Sequence, residues 1–325
     1  MQGKIALEEH FAPPAAFDAR LQYFSNRLPM WPVLEKRQEG TFDIGLAEMD
    51  RSGVELTIVS LGAPTIQAIL DPKEAAEAAR RANDYLKQKV DQRPDRFAAF
   101  AAVPLQDPEA AAKELARCVK ELGFKGALVN GFTQLQEQDS GVYYDLPRFL
   151  PFWQTVQSLD VPFYLHPRNP MASQLRIYEG HPWLQGSAWA FGVETATHSL
   201  RLMCSGLFDK CPRLKIILGH LGEGLPSGIW RVEHRVKKSG ERIPAEKPLS
   251  EYFRRNFYLT TSGNFHDGTL LAAMREVGAD RILFSADYPF EDMDEAAQWF
   301  DRAPLSETDR MKIGRQNAVE LFGLK

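Results

Sequence analysis

Eight short runs of apolar residues recur along the chain, and longer segments with helical spacing separate them. Most of the runs are almost continuously apolar, which is typical of parallel strands buried on both faces. This alternation predicts an α/β fold, and its eight repeats favour a (β/α)8 TIM barrel with extended loops over its C-terminal mouth. The predicted strands are 4–10, 55–61, 97–104, 126–131, 161–166, 215–220, 257–262 and 281–286.

Clear start signals mark two of the predicted helices. Residues 71–74 combine an N-cap aspartate, a proline in the first turn and a capping-box glutamate, and residues 107–108 repeat the first two of these. A last helix is predicted for residues 306–321. Because no change in composition interrupts the alternation, we expect residues 1–325 to form a single barrel domain.

Two segments, 11–50 and 167–192, are too long to be simple connections between a strand and a helix. Both follow strand ends, so we expect them to lie over the C-terminal mouth of the barrel, where long loops are often functional lids. The alternative is a helical cover or a subunit-contact arm. The aromatic residues of these segments include Phe17, Tyr23, Phe24, Trp31, Trp183 and Trp189.

The composition argues against several kinds of partner. The 325 residues carry a net charge of −4 with interspersed charges, which gives no electrostatic case for binding nucleic acid or an anionic membrane. No apolar run approaches the ~20 residues needed to span a bilayer, and the N-terminus lacks a signal-peptide pattern. Cys118, Cys204 and Cys211 form no CxxC arrangement. We therefore expect a cytoplasmic protein with reduced thiols.

Several predicted strands end in residue types that bind metal ions. Glu8 and His10 are two positions apart on the first strand, so their side chains point the same way. His166 ends the fifth predicted strand, and Asp287 follows the eighth. In a closed parallel barrel the first and last strands are neighbours, and catalytic residues cluster at the C-terminal strand ends. Mixed imidazole and carboxylate ligands with open positions suit Zn²⁺ or Mn²⁺, so these four residues predict a metal enzyme.

His220 ends the sixth predicted strand, and Glu223 follows it. His220 is either a fifth ligand or an acid–base group oriented by Glu223. Arg231, near a helix start predicted at residue 230, either meets an anionic substrate or forms a structural ion pair. For any one of these residues alone, a surface or packing role is the alternative. Sequence identifies no catalytic partner for the remaining histidines, His181, His198, His234 and His266.

The segments that carry these residues resemble the amidohydrolase superfamily, in particular its decarboxylase branch. That branch includes aminocarboxymuconate-semialdehyde decarboxylase and the nonoxidative hydroxybenzoate decarboxylases. The resemblance covers nearly the whole chain, and together its motifs are highly specific for the branch. The resembling segments are GKIALEEHF from Gly3 to Phe11, GALVNGF from Gly126 to Phe132, LDVPFYLHPRNP from Leu159 to Pro170, IILGHLGEGLP from Ile216 to Pro226, LTTSGNF from Leu259 to Phe265 and DRILFSADYPFE from Asp280 to Glu291.

The resemblance implies a site with one divalent metal ion, Zn²⁺ or Mn²⁺, and no organic cofactor. Most superfamily hydrolases begin with His-x-His and carry a carboxylated lysine at the end of the fourth strand, where this chain has Glu8 and Asn130. Members of the branch are homodimers or homotetramers, so a homo-oligomer is expected. The implied ligands are Glu8, His10, His166 and Asp287, with His220 and Glu223 close by and Asn130, Arg231 and Phe290 around the substrate.

The resemblance also implies the reaction. An ortho-hydroxybenzoate such as 2,6-dihydroxybenzoate would be protonated at ring carbon C1 and then lose CO₂, in a reversible reaction. His10 favours this substrate, because relatives that act on 2,3-dihydroxybenzoate have alanine there. Residues 11–50 and 133–142 depart from the type, which leaves 2,3-dihydroxybenzoate and salicylate as alternatives. Asp287 is the expected proton donor, and His220 supported by Glu223 is the alternative.

Two other classes of function are also considered. One is a mononuclear metal-dependent hydrolase such as a lactonase, in which metal-bound water attacks a carbonyl group. The presence of Glu8 and Asn130 in place of the binuclear set argues against it. The other is a noncatalytic barrel that binds aromatic acids, which predicts binding without turnover.

Overall fold

Eight parallel strands form the centre of the molecule, a computed structural model in which residues 1–14, 16–21 and 31–324 are described. All eight predicted strands are confirmed, although most are shorter than the apolar runs that predicted them. Tyr23 and Phe24 of the first long segment lie outside the described residues. In chain order the strands are β1 (Lys4–Phe11), β2 (Val54–Leu61), β3 (Phe97–Ala99), β4 (Ala127–Asn130), β5 (Thr133–Leu135), β6 (Glu137–Val142), β7 (Phe163–His166), β8 (Ile216–Leu218), β9 (Phe257–Thr260) and β10 (Ile282–Leu283), of which β5 and β6 form a separate hairpin.

Helices alternate with the strands, and both predicted start signals are confirmed. The Asp71 carboxylate accepts a hydrogen bond from Glu74 N at 3.0 Å, and the Asp107 carboxylate accepts one from Glu109 N at 2.9 Å. No helix of the described ranges has the length and apolar character needed to cross a bilayer. The α-helices are α1 (Trp31–Glu39), α2 (Leu46–Ser52), α3 (Pro72–Val90), α4 (Pro108–Lys120), α5 (Leu150–Leu159), α6 (Ala190–Cys204), α7 (Leu207–Lys210), α8 (Leu225–Ser239), α9 (Leu249–Asn256), α10 (Asp267–Val277), α11 (Met293–Arg302), α12 (Glu307–Met311) and α13 (Asn317–Phe322).

Three local features differ from the predictions. The hairpin of β5 and β6 was not predicted, because its second strand is polar and lacks a buried face. Helix α8 begins at Leu225 rather than near residue 230, since Gly224 and Pro226 provide the start. The last predicted helix is divided into α12 and α13 by a π-helical turn at Lys312–Gln316.

The strands form two sheets, with the orders β1-β2-β3 and β4-β7-β8-β9-β10. A parallel bridge between Ala101 and Ala127 joins them, because it continues β3 beside β4. Ala101 N also donates a hydrogen bond to Gly126 O at 2.8 Å. The other join, between β10 and β1, has one backbone hydrogen bond, from His10 N to Tyr288 O at 2.7 Å, and otherwise relies on side chains.

Ser285 and Glu9 close the barrel between its last and first strands. The Ser285 hydroxyl accepts hydrogen bonds from Leu7 N at 3.0 Å and Glu8 N at 2.6 Å. In the opposite direction, the Glu9 carboxylate accepts a hydrogen bond from Ala286 N at 3.0 Å. We call this set of contacts the seam. It joins the two ends of the polypeptide at the level where the metal ligands were predicted.

Apolar side chains fill the barrel toward the N-terminal ends of its strands. Helix α13 contributes Ala318 and Phe322 to the same cluster and so covers the end opposite the predicted catalytic mouth. Complete burial of one large apolar side chain contributes ~1.5–3 kcal/mol, so this packing is a major source of barrel stability. The other buried members are Ile5, Leu7, Ile58, Ala98, Phe100, Leu128, Tyr164, Ile217 and Leu283.

The described part of residues 11–50 is mostly helical and lies at the mouth of the barrel. Helices α1 and α2 are joined by a π-helical turn at Thr41–Gly45. Arg37 Nη1 donates a hydrogen bond to Pro289 O at 2.9 Å, and the Thr41 hydroxyl donates one to His10 O at 2.9 Å. These contacts hold the segment against the ends of the first and last strands, which agrees with the predicted location.

Replacing Ser285 with alanine should destabilise the fold. The hydroxyl is buried, and its loss leaves the Leu7 and Glu8 N–H groups without their acceptor. Because an unsatisfied buried group costs ~1–3 kcal/mol, we expect the free energy of unfolding in denaturant titrations to fall by about 2 kcal/mol or more. The control, Ser158→Ala on the exposed face of α5, should change it by less than about 0.5 kcal/mol. Equal stabilities would contradict the role of the seam.

Candidate metal centre

The four predicted ligands converge at the C-terminal mouth of the barrel. One ligand atom from each of Glu8, His10, His166 and Asp287 lies within 4.8 Å of the others. Glu8 Oε1 is 3.3 Å from His166 Nε2, and His10 Nε2 is 3.4 Å from Asp287 Oδ1. The structure therefore brings together side chains from the first, the fifth and the last strand of the barrel, as the barrel prediction required.

A β-bulge in β1 turns Glu8 toward the barrel interior. Between Ala6 and Glu9, β1 has one residue more than the paired stretch 57–59 of β2. Leu7 packs in the interior cluster, and the extra residue lets Glu8 follow it on the same side. Glu9 is left on the other side, where it serves the seam. If side chains had alternated strictly after Leu7, Glu8 would point away from the barrel interior and Glu9 would point into it.

One oxygen of the Glu8 carboxylate is fixed, and the other is available to a cation. Oε2 accepts hydrogen bonds from the hydroxyl groups of Tyr164, Thr260 and Ser262. Oε1 is buried and has no hydrogen-bond partner among the described residues. This arrangement orients the carboxylate and leaves one oxygen directed at the cluster.

His10 and Asp287 present similarly free atoms. The Ser60 hydroxyl lies 3.0 Å from His10 Nδ1, and this hydrogen bond orients the ring. His10 Nε2 and Asp287 Oδ1 are buried without a hydrogen-bond partner in the described ranges. Buried polar atoms without partners are costly, and these converge on one point. The donor set therefore fits a divalent cation with mixed nitrogen and oxygen ligands.

The electrostatics of the cluster favour the metal-binding protonation states. Burial raises the pKa of Glu8, but the neighbouring His220, His166 and His10 outweigh it, and the pKa lies well below its ordinary value. Burial and the neighbouring His166 lower the pKa of His10. At neutral pH Glu8 is thus charged and His10 is neutral, and these are the states in which both side chains bind metals.

His220 and Glu223 form a pair at the edge of the cluster. His220 Nδ1 lies 2.6 Å from Glu223 Oε1, and His220 Nε2 lies 3.6 Å from both Glu8 Oε1 and Asp287 Oδ2. Burial lowers the pKa of His220, but the negative charges of Glu223 and Glu8 raise it well above its ordinary value. His220 therefore carries a proton beside the ligands, which supports an acid–base role.

The backbone around these groups is strained. His220, Glu223 and Asp287 have φ angles of 53°, 55° and 81°, in the left-handed region that side chains other than glycine rarely adopt. Such conformations cost of order 1–3 kcal/mol each and persist where the surrounding structure imposes them, often at functional sites. All three strained residues meet at one point of the mouth.

A cavity of about 230 Å³ opens beside the cluster. His166, His220 and Asp287 line it, and so does Phe290. Among the described residues, no lysine or arginine lines this cavity. The second long segment supplies much of the wall, which agrees with its predicted place over the mouth. The other lining residues are Ala63, Pro167, Asn169, Pro182, Trp183, Gly186, Ser187, Ala188, Phe191 and Glu291.

Two residues predicted around the substrate lie outside this lining. Asn130 is buried next to His166 in the register of β4 and β7, and its Nδ2 donates to Gly62 O at 3.4 Å. Arg231 is exposed on α8. Their contacts with a substrate stay predictions.

The remaining histidines lie outside the cluster. His198 is buried on α6, and its Nε2 accepts a hydrogen bond from Tyr144 N at 3.2 Å. His234 stacks on a tryptophan of its own helix, and His266 caps the start of α10. His181 packs against a tryptophan in the second long segment.

Sequence reasoning missed three polar residues of the cavity, Asn169, Ser187 and Glu291. Asn169 lies three positions after His166, in one of the segments that resemble the family. Its polar side chain so close to a predicted ligand could have identified it as a residue of the site. Ser187 lies in an irregular loop, where spacing predicts no direction. Burial raises the pKa of Glu291 to about 7, and the charge of Asp287 adds to the effect.

Comparisons with known proteins agree with this geometry. The sequence model of a family described as amidohydrolase matches residues 10–324. Gamma-resorcylate decarboxylase of Polaromonas sp. (strain JS666 / ATCC BAA-500) is 56% identical over 100% of this chain and 99% of its own length. The crystal structure of 2,6-dihydroxybenzoate decarboxylase complexed with 2,6-dihydroxybenzoate has a TM-score of 0.95 and 55% identity over 100% of both chains. A dihydroxybenzoic acid decarboxylase from Polaromonas sp. JS666, with bound manganese and the inhibitor 2-nitroresorcinol, has a TM-score of 0.94 and 55% identity over 100% of this chain and 98% of the other.

Glu8→Gln should lose the metal ion, whereas Glu9→Gln should keep it. Glu8 faces the cluster, while Glu9 accepts hydrogen bonds from the backbone at the seam. We expect the affinity for Mn²⁺ to fall by more than about 100-fold in Glu8→Gln, measured by elemental analysis after equilibrium dialysis. Glu9→Gln should lower stability instead of metal content. Normal metal content in Glu8→Gln would contradict the site.

Proposed function

We propose that this chain, which belongs to the amidohydrolase family, is a carboxy-lyase that removes CO₂ from an ortho-hydroxybenzoate without oxidation. The first candidate substrate is 2,6-dihydroxybenzoate, because the relative from Polaromonas is 56% identical and the similar crystal structure holds that compound. The proposed cofactor is one divalent metal ion, manganese or zinc, and manganese is present in one similar structure. The proposal includes no organic cofactor.

The observation that carries this proposal is the pairing of the ligand cluster with a cavity whose described lining contains no lysine or arginine, and whose protonated His220 is already paired with Glu223. Asp287 adds negative charge to the wall, and Glu291, with a pKa of about 7, adds a partial charge at neutral pH. An aromatic carboxylate entering this cavity therefore needs a positive partner. A divalent cation held by the four ligands would supply it and would orient the carboxylate and the neighbouring hydroxyl. The aromatic rings of Phe290 and Phe191 line the remaining space, which suits a flat ring.

The side chains of the cluster would deliver a proton to ring carbon C1. Direct loss of CO₂ would leave an aryl anion, which is costly. Protonation first forms the C1–H bond at the expense of aromaticity. The bond between C1 and the carboxylate carbon then breaks, CO₂ leaves, and its electron pair restores the aromatic ring. The residues must therefore place an acid beside both the ligand cluster and the cavity.

Asp287 and His220 both meet this requirement. Both line the cavity, and Asp287 Oδ2 lies 3.6 Å from His220 Nε2. We assign proton donation to Asp287. His220, whose Nδ1 is paired with Glu223, then gives its proton to Asp287 and is itself reprotonated from solvent. The reverse assignment, with His220 as the donor, is the alternative that variants can separate.

The proposal extends to a homo-oligomer, either a dimer or a tetramer. Large apolar side chains are exposed on α6, on α8 and on the segment before α6: Trp183, Trp189, Val193 and Trp230 are 65%, 59%, 42% and 70% accessible. Exposed apolar surfaces of this kind are typical of protein contacts. Arg231 adjoins Trp230 on α8, so a second copy that covers this surface would also cover Arg231.

The proposed location is the cytoplasm. Cys118, Cys204 and Cys211 are all free thiols, as expected for a reducing compartment. The proposed partners are the small aromatic acid and CO₂ or bicarbonate. Neither nucleic acid nor a membrane is part of the proposal, in agreement with the net charge of −4.

A screen of hydroxybenzoates tests the function directly. The manganese-loaded enzyme should release CO₂ from 2,6-dihydroxybenzoate faster than from 2,3-dihydroxybenzoate or salicylate, and dialysis against a chelator should abolish the reaction. Lactone hydrolysis should not be detected in the same preparation. Lactone cleavage without CO₂ release would favour the hydrolase, and binding without either reaction would favour a noncatalytic barrel.

Asp287→Asn should lose most of the activity even when manganese is restored. A positioned acid contributes ~10²–10⁴ in rate, so kcat for CO₂ release should fall by at least about 100-fold. Metal content must be measured in the same sample, because Asp287 is also a proposed ligand. Asp160→Asn is the control, since Asp160 has a φ of 55°, which asparagine tolerates, and lies outside the cluster. Near-normal kcat in metal-loaded Asp287→Asn would remove it as the donor.

Glu223→Gln should shift the alkaline limit of activity to lower pH. The charge of Glu223 is the largest influence that raises the pKa of His220, so its removal lowers that pKa. If His220 must be protonated, activity is present below its pKa and is lost as the pH rises through it. The profile of kcat against pH for the metal-loaded variant should therefore bend earlier on the alkaline side. An unmoved alkaline limb would exclude protonated His220 from the reaction.

A further inference from the structure

A second cavity shares two walls with the proposed active site. Its volume is about 740 Å³. At the end of β7 and just after it, His166 and Asn169 line the active-site cavity, whereas Arg168 lines the second one. Near the end of β2 the same division occurs, with Ala63 on one side and Thr65 on the other. The two spaces are therefore separated by single segments of chain, one of which carries a proposed metal ligand.

Arg168 is a buried cation in the wall of this second cavity. Its side chain is almost completely inaccessible, with a residue exposure of 6%. Nη1 donates to Phe132 O at 2.8 Å and to Gln67 O at 3.4 Å, and Nη2 donates to Gln134 Oε1 at 2.8 Å, so all three acceptors are uncharged. Nε has no hydrogen-bond partner, and no described carboxylate forms an ion pair with the guanidinium. A buried charge without a counter-charge favours an anion beside it.

The nearest internal carboxyl group does not neutralise Arg168. Glu194 and Arg168 both approach Gly131, where an added Cβ would be 3.2 Å from Glu194 Oε2 and 2.4 Å from Arg168 Cγ. Burial raises the pKa of Glu194 to about 8, more than the charge of Arg168 lowers it. Glu194 forms no ion pair with the guanidinium in the described part of the chain, and its raised pKa reduces the charge that it offers at neutral pH.

The rest of the cavity wall is mostly apolar. The carboxylates at its rim are Asp71, which caps α3, and Glu74 in the first turn of that helix. Arg20, also at the rim, is paired with Asp18 at 2.8 Å. Among the cationic side chains of this cavity, Arg168 is thus the one that has no oppositely charged partner in the described part of the chain. The apolar lining residues are Pro64, Ala68, Ile69, Leu70, Phe132, Pro170, Met171, Ala172 and Leu175.

We propose that this cavity is a second ligand site, which binds a small aromatic monocarboxylate with its carboxylate toward Arg168 and its ring against the apolar wall. The site is distinct from the metal centre and needs no metal ion. The charge of Arg168 selects the anion, and the aromatic face of Phe132, over which the guanidinium lies at 4.2 Å, continues the apolar surface. The proposal stands whether or not the chain is a decarboxylase.

Calorimetric titration of the manganese-loaded protein with phenylacetate tests this site. Phenylacetate lacks the ortho hydroxyl that the active site would use. We expect one equivalent to bind, and the neutral phenylacetamide to bind at least about tenfold more weakly, because it loses a charge-assisted hydrogen bond. Equal affinities for the acid and the amide would overturn the assignment to Arg168.

A pair of tryptophan variants locates the binding. Ala172→Trp places a large side chain at an exposed position of the cavity wall, and Ile177→Trp changes an exposed residue of the same 3-10 turn that does not line the cavity. Affinity for phenylacetate should fall at least about tenfold in the first variant and stay normal in the second. Binding that Ala172→Trp leaves unchanged would place the ligand elsewhere. No binding to the wild-type protein would mean that the cavity is closed or filled, and would overturn the proposal.

Discussion

The contact between the last and first strands is the constraint on which the rest of the structure depends. Strand β10 has two residues, and the described backbone ladders join it to β9 alone. The Ser285 hydroxyl and the Glu9 carboxylate, together with the backbone hydrogen bond from His10 N to Tyr288 O, replace the missing ladder to β1. The N–H groups that donate hydrogen bonds to the Ser285 hydroxyl are those of Leu7 and Glu8. Both belong to the bulged part of β1, where Glu8 turns inward. The contacts that close the barrel are therefore the same ones that orient Glu8, the first ligand.

The charge balance of the mouth explains why a cation fits there. Two carboxylates, Glu8 and Asp287, are held close together in a largely buried place, where their mutual repulsion is poorly screened. The proton on His220 compensates for part of this charge in the metal-free chain, since Nε2 lies 3.6 Å from both carboxylates. A divalent ion among the four ligands would compensate for more and would leave His220 free for proton transfer.

The sequence predicted the architecture and the ligand set because both depend on local patterns. Apolar runs at regular intervals define the strands, and the rule that strand ends of a parallel barrel meet brings Asp287 to His10. The bulge at Glu8 was not predictable, since it depends on how β1 pairs with β2. The start of α8 was misplaced, and Ser187 was missed in an irregular loop. Among residues suggested only by resemblance, Phe290 lines the cavity. The roles of Asn130 and Arg231, like the single-domain extent of residues 1–325, stay predictions.

The central claim is that Glu8, His10, His166 and Asp287 hold one divalent cation that grips an aromatic acid. Anomalous X-ray diffraction at the manganese edge, from crystals of the loaded protein soaked with 2,6-dihydroxybenzoate, tests it most directly. We predict one strong anomalous peak per chain among these four side chains, with the carboxylate of the acid in contact with it. A peak elsewhere, or an ion at this place with no room for the acid, would contradict the account.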